Sequence, residues 1–172
     1  MHKIGRIHRE YYIYVVLSKT PTKFGGAIRR LAGIEYNHAS IAFDSELKQL
    51  YSFARRQYKN PLDAGLVREH IDTFSLRRVS CVDVRIYKIP VTQHQYIAGK
   101  KRILEIKHDA DGYLYNLFSV LFFPFTNGFE TYKAYSCAEF VAHMIRTMGI
   151  KLTPGKADCA FTPQEIGECI RT

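Results

Sequence analysis

The most informative segment of the sequence is Tyr135-Ser136-Cys137-Ala138-Glu139-Phe140-Val141-Ala142. A serine followed three residues later by a glutamate is the capping-box pattern that begins a helix, so we expect Ser136 to be the N-cap and Cys137 the first helical residue. Apolar residues then recur on one helical face as far as Met148, and Gly149 is suited to end the helix. The sequence therefore predicts a packed helix that begins at a cysteine.

A cysteine in the first turn of a helix is well placed to act as a nucleophile. The positive end of the helix dipole stabilises a thiolate there, and the N–H groups of the first turn can donate to the oxyanion formed in acyl transfer. Cys137 is therefore the candidate nucleophile, the alternative being a structural cysteine that merely begins a helix. Cys81, Cys159 and Cys169 lack this context and are interpreted as packing residues.

A nucleophilic cysteine needs a base, and His38 is the best placed of the seven histidines. It opens a predicted strand whose next same-face residues, Ser40 and Ala42, are small, which leaves room for a helix beside the imidazole. The alternative is an ordinary surface histidine at a strand end. His143 lies six residues after Cys137 and therefore on a different face of the same helix. The remaining histidines fall in a predicted terminus, loop or helix end: His2, His8, His70, His94 and His108.

The other segments alternate between strand and helix patterns. We expect a buried strand at Tyr11–Leu17, a hairpin formed by His38–Phe43 and Gln49–Phe53, and a further core strand at Val79–Ile89. Helices are expected at Lys23–Leu31, from Thr92 to about Lys107, at Tyr113–Phe123 and from Thr162 onward. Thr92 with Gln95 and Thr162 with Glu165 form capping-box patterns. Residues 58–72, which contain a proline and a glycine, are interpreted as an irregular loop. A small antiparallel sheet packed against several helices predicts an α+β domain.

Size and composition are those of one folded unit. The chain has 172 residues, of which 47% are hydrophobic, so we expect a single domain over residues 1–172, with 1–9 as a loose basic segment. It shows neither a signal-peptide pattern nor an apolar run long enough to span a bilayer, which favours a cytoplasmic location. The four cysteines include no C-x-x-C pair, which argues against zinc-ribbon and thioredoxin-like sites, and no cofactor is expected.

The formal net charge is +9, and part of it lies in basic pairs such as Arg29-Arg30 and Arg55-Arg56. This balance favours an anionic surface or polymer as a partner, although dispersed pairs are also common on ordinary solvated surfaces. No nucleic-acid motif accompanies the charge. The oligomeric state is left open.

The histidine and cysteine segments together resemble a known family. Tyr36–Asp44, Leu50–Arg55, Tyr135–Ala142 and Phe161–Glu165 are similar to the permuted papain-like amidases of the NlpC-type superfamily, whose permuted branches include YiiX-like proteins and lecithin retinol acyltransferase. In ordinary NlpC-type enzymes the cysteine helix precedes the histidine strand. Here the order is reversed, as it is in the permuted members, and the resemblance also implies a bacterial source.

By this resemblance the fold is a circularly permuted papain-like domain in which Cys137 attacks an acyl carbon and His38 moves the proton. Family members place a third polar residue on the strand after the histidine strand, where it orients the imidazole. The best matching position is Ser52, with Tyr51 as the alternative. Neither is the histidine or glutamate found in many relatives.

Three functions compete on this basis. The first is a cysteine hydrolase, an amidase (thiol protease) or esterase, that acts on a peptide-like amide or an acyl lipid through a thioester. The second is an acyltransferase of the same fold that passes the acyl group to a lipid or an amine. The third is a binding module that keeps the fold without catalysis, a possibility raised by the weak orienting capacity of a serine at position 52.

Overall fold

The computed structural model describes residues 10–57, 60–70, 82–109, 112–116, 119, 123, 126 and 128–171. Within these residues the chain forms an α+β structure, as predicted. Its main sheet has five antiparallel strands in the order β4-β3-β2-β1-β5. The strands are β1 (Tyr11–Ser18), β2 (His38–Ala42), β3 (Leu50–Gln57), β4 (Asn60–Glu69) and β5 (Val84–Val91).

The first two predicted elements are confirmed. Strand β1 is rich in aromatic and β-branched residues and lies inside the sheet between β2 and β5. Helix α1 (Lys23–Ala32) follows it. The Thr22 hydroxyl caps the start of the helix by accepting from the Gly25 N–H, and Gly33 ends it at φ 64°, a left-handed conformation that favours glycine.

The predicted hairpin is also confirmed, because β2 and β3 are antiparallel neighbours. The prediction of an irregular loop over residues 58–72 is wrong for the part that the structure describes, since Asn60–Glu69 forms strand β4. This strand pairs along β3, with Glu69 opposite Leu50 and Gly65 opposite Ala54. A proline is tolerated because β4 lies at the edge of the sheet.

The predicted strand at Val79–Ile89 occurs as β5, and it contributes to the core only through partly buried residues such as Tyr87 and Ile89. Strand β5 lies at the other edge of the sheet and pairs only with β1 among the described strands. Val84 and Ile86 are about half exposed, at 45% and 48%. Residues 79–81, which include Cys81, lie outside the described part of the chain.

Helix α2 (Gln93–His108) begins with the predicted capping box, in which Thr92 and Gln95 bond each other's backbone N–H groups. The predicted helix at Tyr113–Phe123 is wrong at its start. There Leu114–Tyr115 forms a short strand, β6, that pairs in parallel with β7 (Ala134–Tyr135). Most of residues 117–122 lie outside the described part of the chain.

The two C-terminal helices begin where their capping boxes predict. Helix α3 (Cys137–Thr147) has Ser136 as its N-cap, and helix α4 (Pro163–Cys169) has Thr162. A short 3-10 turn, Asp158–Ala160, lies between them.

The main hydrophobic core lies between one face of the sheet and the helices. It combines residues of β1, β2 and β3 with residues of α2, α3 and α4, among them Ile13, Val15, Leu17, Ala39, Ile41, Phe53, Ile103, Ile106, Phe140, Val141, Met144 and Ile166. Neighbouring strand residues point to opposite faces, and a second, smaller cluster accordingly contains Val16, Ala42, Leu47 and Leu50. Helix α3 therefore packs on the Ala39 and Ile41 face of β2. The expectation that it docks beside Ser40 and Ala42 is wrong.

Among the described residues, none of the helices has both the length and the apolar composition needed to cross a bilayer.

Candidate active site

The candidate nucleophile lies where the capping box predicts. Cys137 is the first residue of α3 and is 6% exposed. The Ser136 hydroxyl accepts from the Glu139 N–H at 3.1 Å, and the Glu139 carboxylate accepts from the Ser136 N–H, also at 3.1 Å. Two of the four N–H groups of the first turn are thereby bonded. The other two belong to Cys137 and Ala138, which have no i−4 carbonyl within the helix and flank the thiol.

The glutamate of this capping box is unusually deep. Glu139 is 2% exposed, and its carboxylate also lies 3.5 Å from the Asn116 side-chain amide. Burial raises the pKa of Glu139 to about 7, and the hydrogen bonds from Ser136 and Asn116 only partly oppose this shift. The carboxyl group that holds the start of α3 is therefore half protonated near neutral pH.

The candidate base opens strand β2 at the end nearest this helix. The Cys137 sulfur lies 3.9 Å from the carbonyl oxygen of Asn37, the residue immediately before His38. The imidazole of His38 is hydrogen-bonded to Cys137 and also to the carboxylate of Glu69. The histidine therefore lies between a thiol and a carboxylate, although 100 residues separate Asn37 from Cys137.

The pKa of His38 reflects these two neighbours. Burial lowers the pKa of the imidazole, but the negative charge of Glu69 and the hydrogen bonds to Cys137 and Glu69 outweigh it. The pKa of His38 therefore lies well above its ordinary value of 6.5. An imidazolium is favoured at neutral pH, which is the protonated partner that a reactive thiolate requires.

Glu69, at the end of β4, is the centre of a buried polar group on the face of the sheet opposite to α3. Its Oε1 lies 2.7 Å from His38 Nε2 and accepts from the Ser52 hydroxyl at 2.8 Å. Its Oε2 accepts from the Ser40 hydroxyl at 2.5 Å. Burial tends to raise the pKa of this carboxyl, but the charge of His38 and the three hydrogen bonds hold it below its ordinary value. Glu69 is therefore ionised at neutral pH.

The pairing of three strands brings this polar group together. Ser40 lies two residues after His38 and so points to the same face of β2. Ala42 pairs with Leu50, and Leu50 pairs with Glu69 on the other side of β3. Ser52, two residues after Leu50, shares that face. Small hydroxyl side chains at positions 40 and 52 thus leave the carboxylate room to reach the imidazole.

The segment before His38 is held by a side-chain network around Asn37. The Asn37 side-chain oxygen accepts from the Thr20 N–H at 3.0 Å and from the Arg29 guanidinium at 2.7 Å. Its amide nitrogen donates to the Thr20 hydroxyl. This network joins the end of β1, helix α1 and the start of β2, and so fixes the backbone from which His38 projects.

The predicted third site residue needs correction. Ser52 is fully buried, and its hydroxyl donates a hydrogen bond to the Glu69 carboxylate. The group hydrogen-bonded to the His38 imidazole is thus Glu69, and Ser52 holds Glu69. The alternative, Tyr51, belongs to the core cluster on the face that α3 covers. Glu69 was missed because residues 58–72 were interpreted as a loop. The apolar pair Leu66-Val67 directly before Arg68 and Glu69 could have indicated a strand that ends in a carboxylate.

Among the described residues, His143, Cys159 and Cys169 lie in other surroundings. His143 accepts a hydrogen bond from Arg102 Nε and lies 3.7 Å from the Asp158 carboxylate. Cys159 is buried in the 3-10 turn, where burial raises the pKa of its thiol. Cys169 lies 3.0 Å from the Thr153 hydroxyl. The predictions for His2, His8 and Cys81 lie outside the described residues.

Within the described part of the chain, no cluster of three or more His, Cys, Asp or Glu side chains has the arrangement of a metal site. The site brings together the Cys137 thiol, the His38 imidazole and the Glu69 carboxylate. Together these groups can generate a thiolate and move a proton.

No protein-family model, curated protein or solved structure matches the chain.

Proposed function

We propose that this protein is a cysteine hydrolase that cleaves an amide or ester through a thioester with Cys137. The observation that carries the proposal is the buried Glu69 carboxylate 2.7 Å from His38 Nε2, on an imidazole that is also hydrogen-bonded to Cys137. A thiol, an imidazole and a carboxylate in this order form a complete nucleophile, base and orienting group. The non-catalytic binding module was considered because a serine alone would orient the imidazole only weakly. With the Glu69 carboxylate beside the imidazole, that argument for the module no longer applies.

The proposed reaction has two halves. The Cys137 thiolate attacks the carbonyl carbon, and the negative charge that develops on the oxygen is stabilised by the N–H groups of Cys137 and Ala138. The imidazolium of His38 gives its proton to the leaving nitrogen or oxygen as the acyl–leaving-group bond breaks. The amine or alcohol departs, and the acyl group is held as a thioester.

In the second half, neutral His38 accepts a proton from a water molecule, which attacks the thioester carbon. The C–S bond breaks, the acid is released and the thiolate–imidazolium pair forms again. An amine or alcohol in place of water would give the acyltransferase of the second hypothesis. Throughout, Glu69 stays ionised and holds the ring, while Ser40 and Ser52 hold Glu69.

The same arrangement supports the permuted papain-like fold as part of the proposal. The histidine strand precedes the cysteine helix along the chain, and the helix packs on an antiparallel sheet. This is the order that the resemblance implies for a permuted member of the NlpC-type superfamily.

The test is the rate of Cys137 alkylation by iodoacetamide as a function of pH, followed by peptide mass spectrometry. We expect alkylation of the wild type to be fast at neutral pH, as for thiols paired with an imidazolium. His38→Ala should move the rise to higher pH, whereas His94→Ala, an exposed histidine of α2, should not. A wild-type profile that His38→Ala leaves unchanged would contradict the proposal. Acyl release must also be lost in Cys137→Ala and retained in Cys169→Ala.

A further inference from the structure

An apolar cavity of about 230 Å³ reaches the candidate nucleophile. Helix α1 contributes Ala27, Ile28 and Leu31 to its wall, and Phe123, Phe161 and Pro163 add further apolar lining. Cys137 and Ala138 line the same cavity, so the residues of the candidate nucleophile and of the proposed oxyanion donors border it. The acyl group of a thioester at Cys137 must therefore lie in or at this cavity.

The lining indicates what kind of acyl group fits. Each methylene moved from water into an apolar site contributes about 0.8 kcal/mol, equivalent to about fourfold in affinity. A charged or strongly polar group would instead lose its hydration there. A water molecule occupies roughly 30 Å³ of liquid volume and a methylene is of similar size, so a cavity of about 230 Å³ corresponds to on the order of eight methylenes.

A neighbouring cleft provides the contrast. It shares Ala32, Ile34 and Thr162 with the apolar cavity, but its lining also includes Lys156, Gln164 and Glu165. The charged side chains are thus in the neighbouring cleft, while apolar groups predominate at the nucleophile. This separation favours a hydrocarbon chain at Cys137, with the polar part of the substrate outside the cavity.

Leu31 connects this cavity to the protein surface. It lines the cavity and yet is 72% exposed, so it lies at the rim, where an entering chain would contact it. Ile28 lies one helical turn earlier on the same side of α1 and is only partly exposed. The two side chains are thus placed to contact different parts of an acyl chain.

We infer that the acyl group transferred to Cys137 is a hydrocarbon chain of roughly six to ten carbons, held against Ile28 and Leu31. The inference rests on the proposed function, because it assigns the acyl half of the same reaction. In that step the S–C bond forms, the bond from the acyl carbon to its oxygen or nitrogen breaks, and the leaving group takes the proton from His38. Such a chain is available from soluble acyl esters and amides or from lipids.

The experiment is a series of 4-nitrophenyl esters with acyl chains of two to sixteen carbons, each kept below its critical micelle concentration. The acyl-enzyme is detected by intact-protein mass spectrometry, and kcat/KM is measured. We expect kcat/KM to rise by up to about fourfold per methylene and to level off at about eight carbons. Ile28→Phe should move the plateau to shorter chains, and Ile28→Ala to longer ones.

Two matched leucine variants test whether the acyl chain contacts Leu31 at the rim of the cavity. Leu31→Ala should reduce the gain per methylene for the longer chains. Leu104→Ala, an equally conservative change at a 63% exposed leucine of α2, should leave the whole series unchanged. Equal effects of the two variants, or a kcat/KM that does not depend on chain length, would overturn the inference and leave the proposed hydrolase intact.

Failure of the proposed function has a different signature. If neither the acetyl ester nor any longer ester gives an acyl-enzyme, the hydrolase proposal itself fails. A second arm uses vesicles of a long-chain ether phospholipid, which has no cleavable acyl bond, that carry a minor fraction of phosphatidylglycerol with either eight-carbon or sixteen-carbon acyl chains. An acyl-enzyme from the vesicles would assign a lipid source, and one from the soluble esters alone would assign soluble acyl compounds. Faster acyl-enzyme formation from the sixteen-carbon lipid than from the eight-carbon lipid would contradict the inferred acyl chain length.

Discussion

Glu69 Oε1 lies 2.7 Å from His38 Nε2, although the two residues are 31 positions apart in the sequence and two strands apart in the sheet. The carboxylate is buried with the imidazole and is held by two serine hydroxyls. A charge in this position stabilises the imidazolium and fixes the orientation of the ring. The relationship leads to predictions on reactivity, and neighbouring features lead to predictions on stability.

Glu69→Gln should lower the reactivity of Cys137. The amide keeps the size of the side chain but removes the negative charge that raises the pKa of His38, so less of the thiolate–imidazolium pair exists near pH 6.5. We expect alkylation by iodoacetamide to slow by roughly tenfold or more at that pH, since one pKa unit is a factor of ten. Glu46→Gln, at an exposed carboxylate that pairs with Lys48, is the matched control and should not change the rate.

Ser52→Ala should have a smaller effect in the same direction. It removes one of the two hydroxyls that hold Glu69 and leaves the Ser40 bond in place. The carboxylate then orients the imidazole less well, and we expect alkylation of Cys137 to slow by several-fold, with the alkylation–pH curve moved toward higher pH. Ser45→Ala, at an exposed loop serine, serves for comparison. If Ser52→Ala slowed alkylation more than Glu69→Gln does, this would contradict the inference that Ser52 acts on His38 through Glu69.

Gly25→Ala and Gly26→Ala should have opposite effects on stability. A Cβ at Gly25 would overlap the Asn37 side chain and lie 2.7 Å from the Thr20 hydroxyl, which disturbs the network before His38. A Cβ at Gly26 would meet only the end of the Arg29 side chain at 3.9 Å. Gly26→Ala should therefore stabilise the fold by about 0.5–1 kcal/mol through helix propensity, whereas Gly25→Ala should lower both Tm and Cys137 reactivity.

Glu139 should make the protein less stable as pH rises from about 4.5 to above 7. Its folded pKa of about 7 exceeds the ordinary 4.5, so the folded state binds more protons than the unfolded state across this window and loses stability as they dissociate. His38 acts in the same direction above pH 6.5, while the lowered pKa of Glu69 acts in the opposite direction below about pH 4.5. Glu139→Gln should flatten the decline between pH 5 and 7, measured by urea unfolding at each pH.

The features that could be predicted from the sequence are those that depend on neighbouring residues. The capping boxes at Ser136 and Thr162 are confirmed because a hydroxyl and a glutamate three residues apart determine a helix start locally. The position of Cys137 at the first turn follows directly. His38 at the start of a strand is confirmed for a similar reason, since the alternation after it is local.

The features that could not be predicted depend on pairing between distant segments. Strand β4 forms because it pairs along β3, and the proline and glycine within it are tolerated at a sheet edge. The sequence pattern at Leu114–Tyr115 favours a helix. In the structure this segment instead pairs with Ala134–Tyr135, which comes some twenty residues later. Glu69 lies at the end of β4. Because this strand was not predicted, the carboxylate of the candidate site was not predicted either.

The separation of the site along the chain has a consequence for biosynthesis. His38 and Glu69 belong to the first half of the sequence, and 100 residues lie between Asn37 and the thiol of Cys137. A ribosome that adds about 5–20 residues per second makes that stretch in roughly 5–20 s. The imidazole and its carboxylate can therefore pair before the cysteine exists. The thiol gains its partner only when helix α3 has been made and has packed on the sheet, so Cys137 lacks its activating imidazole while the polypeptide is still growing.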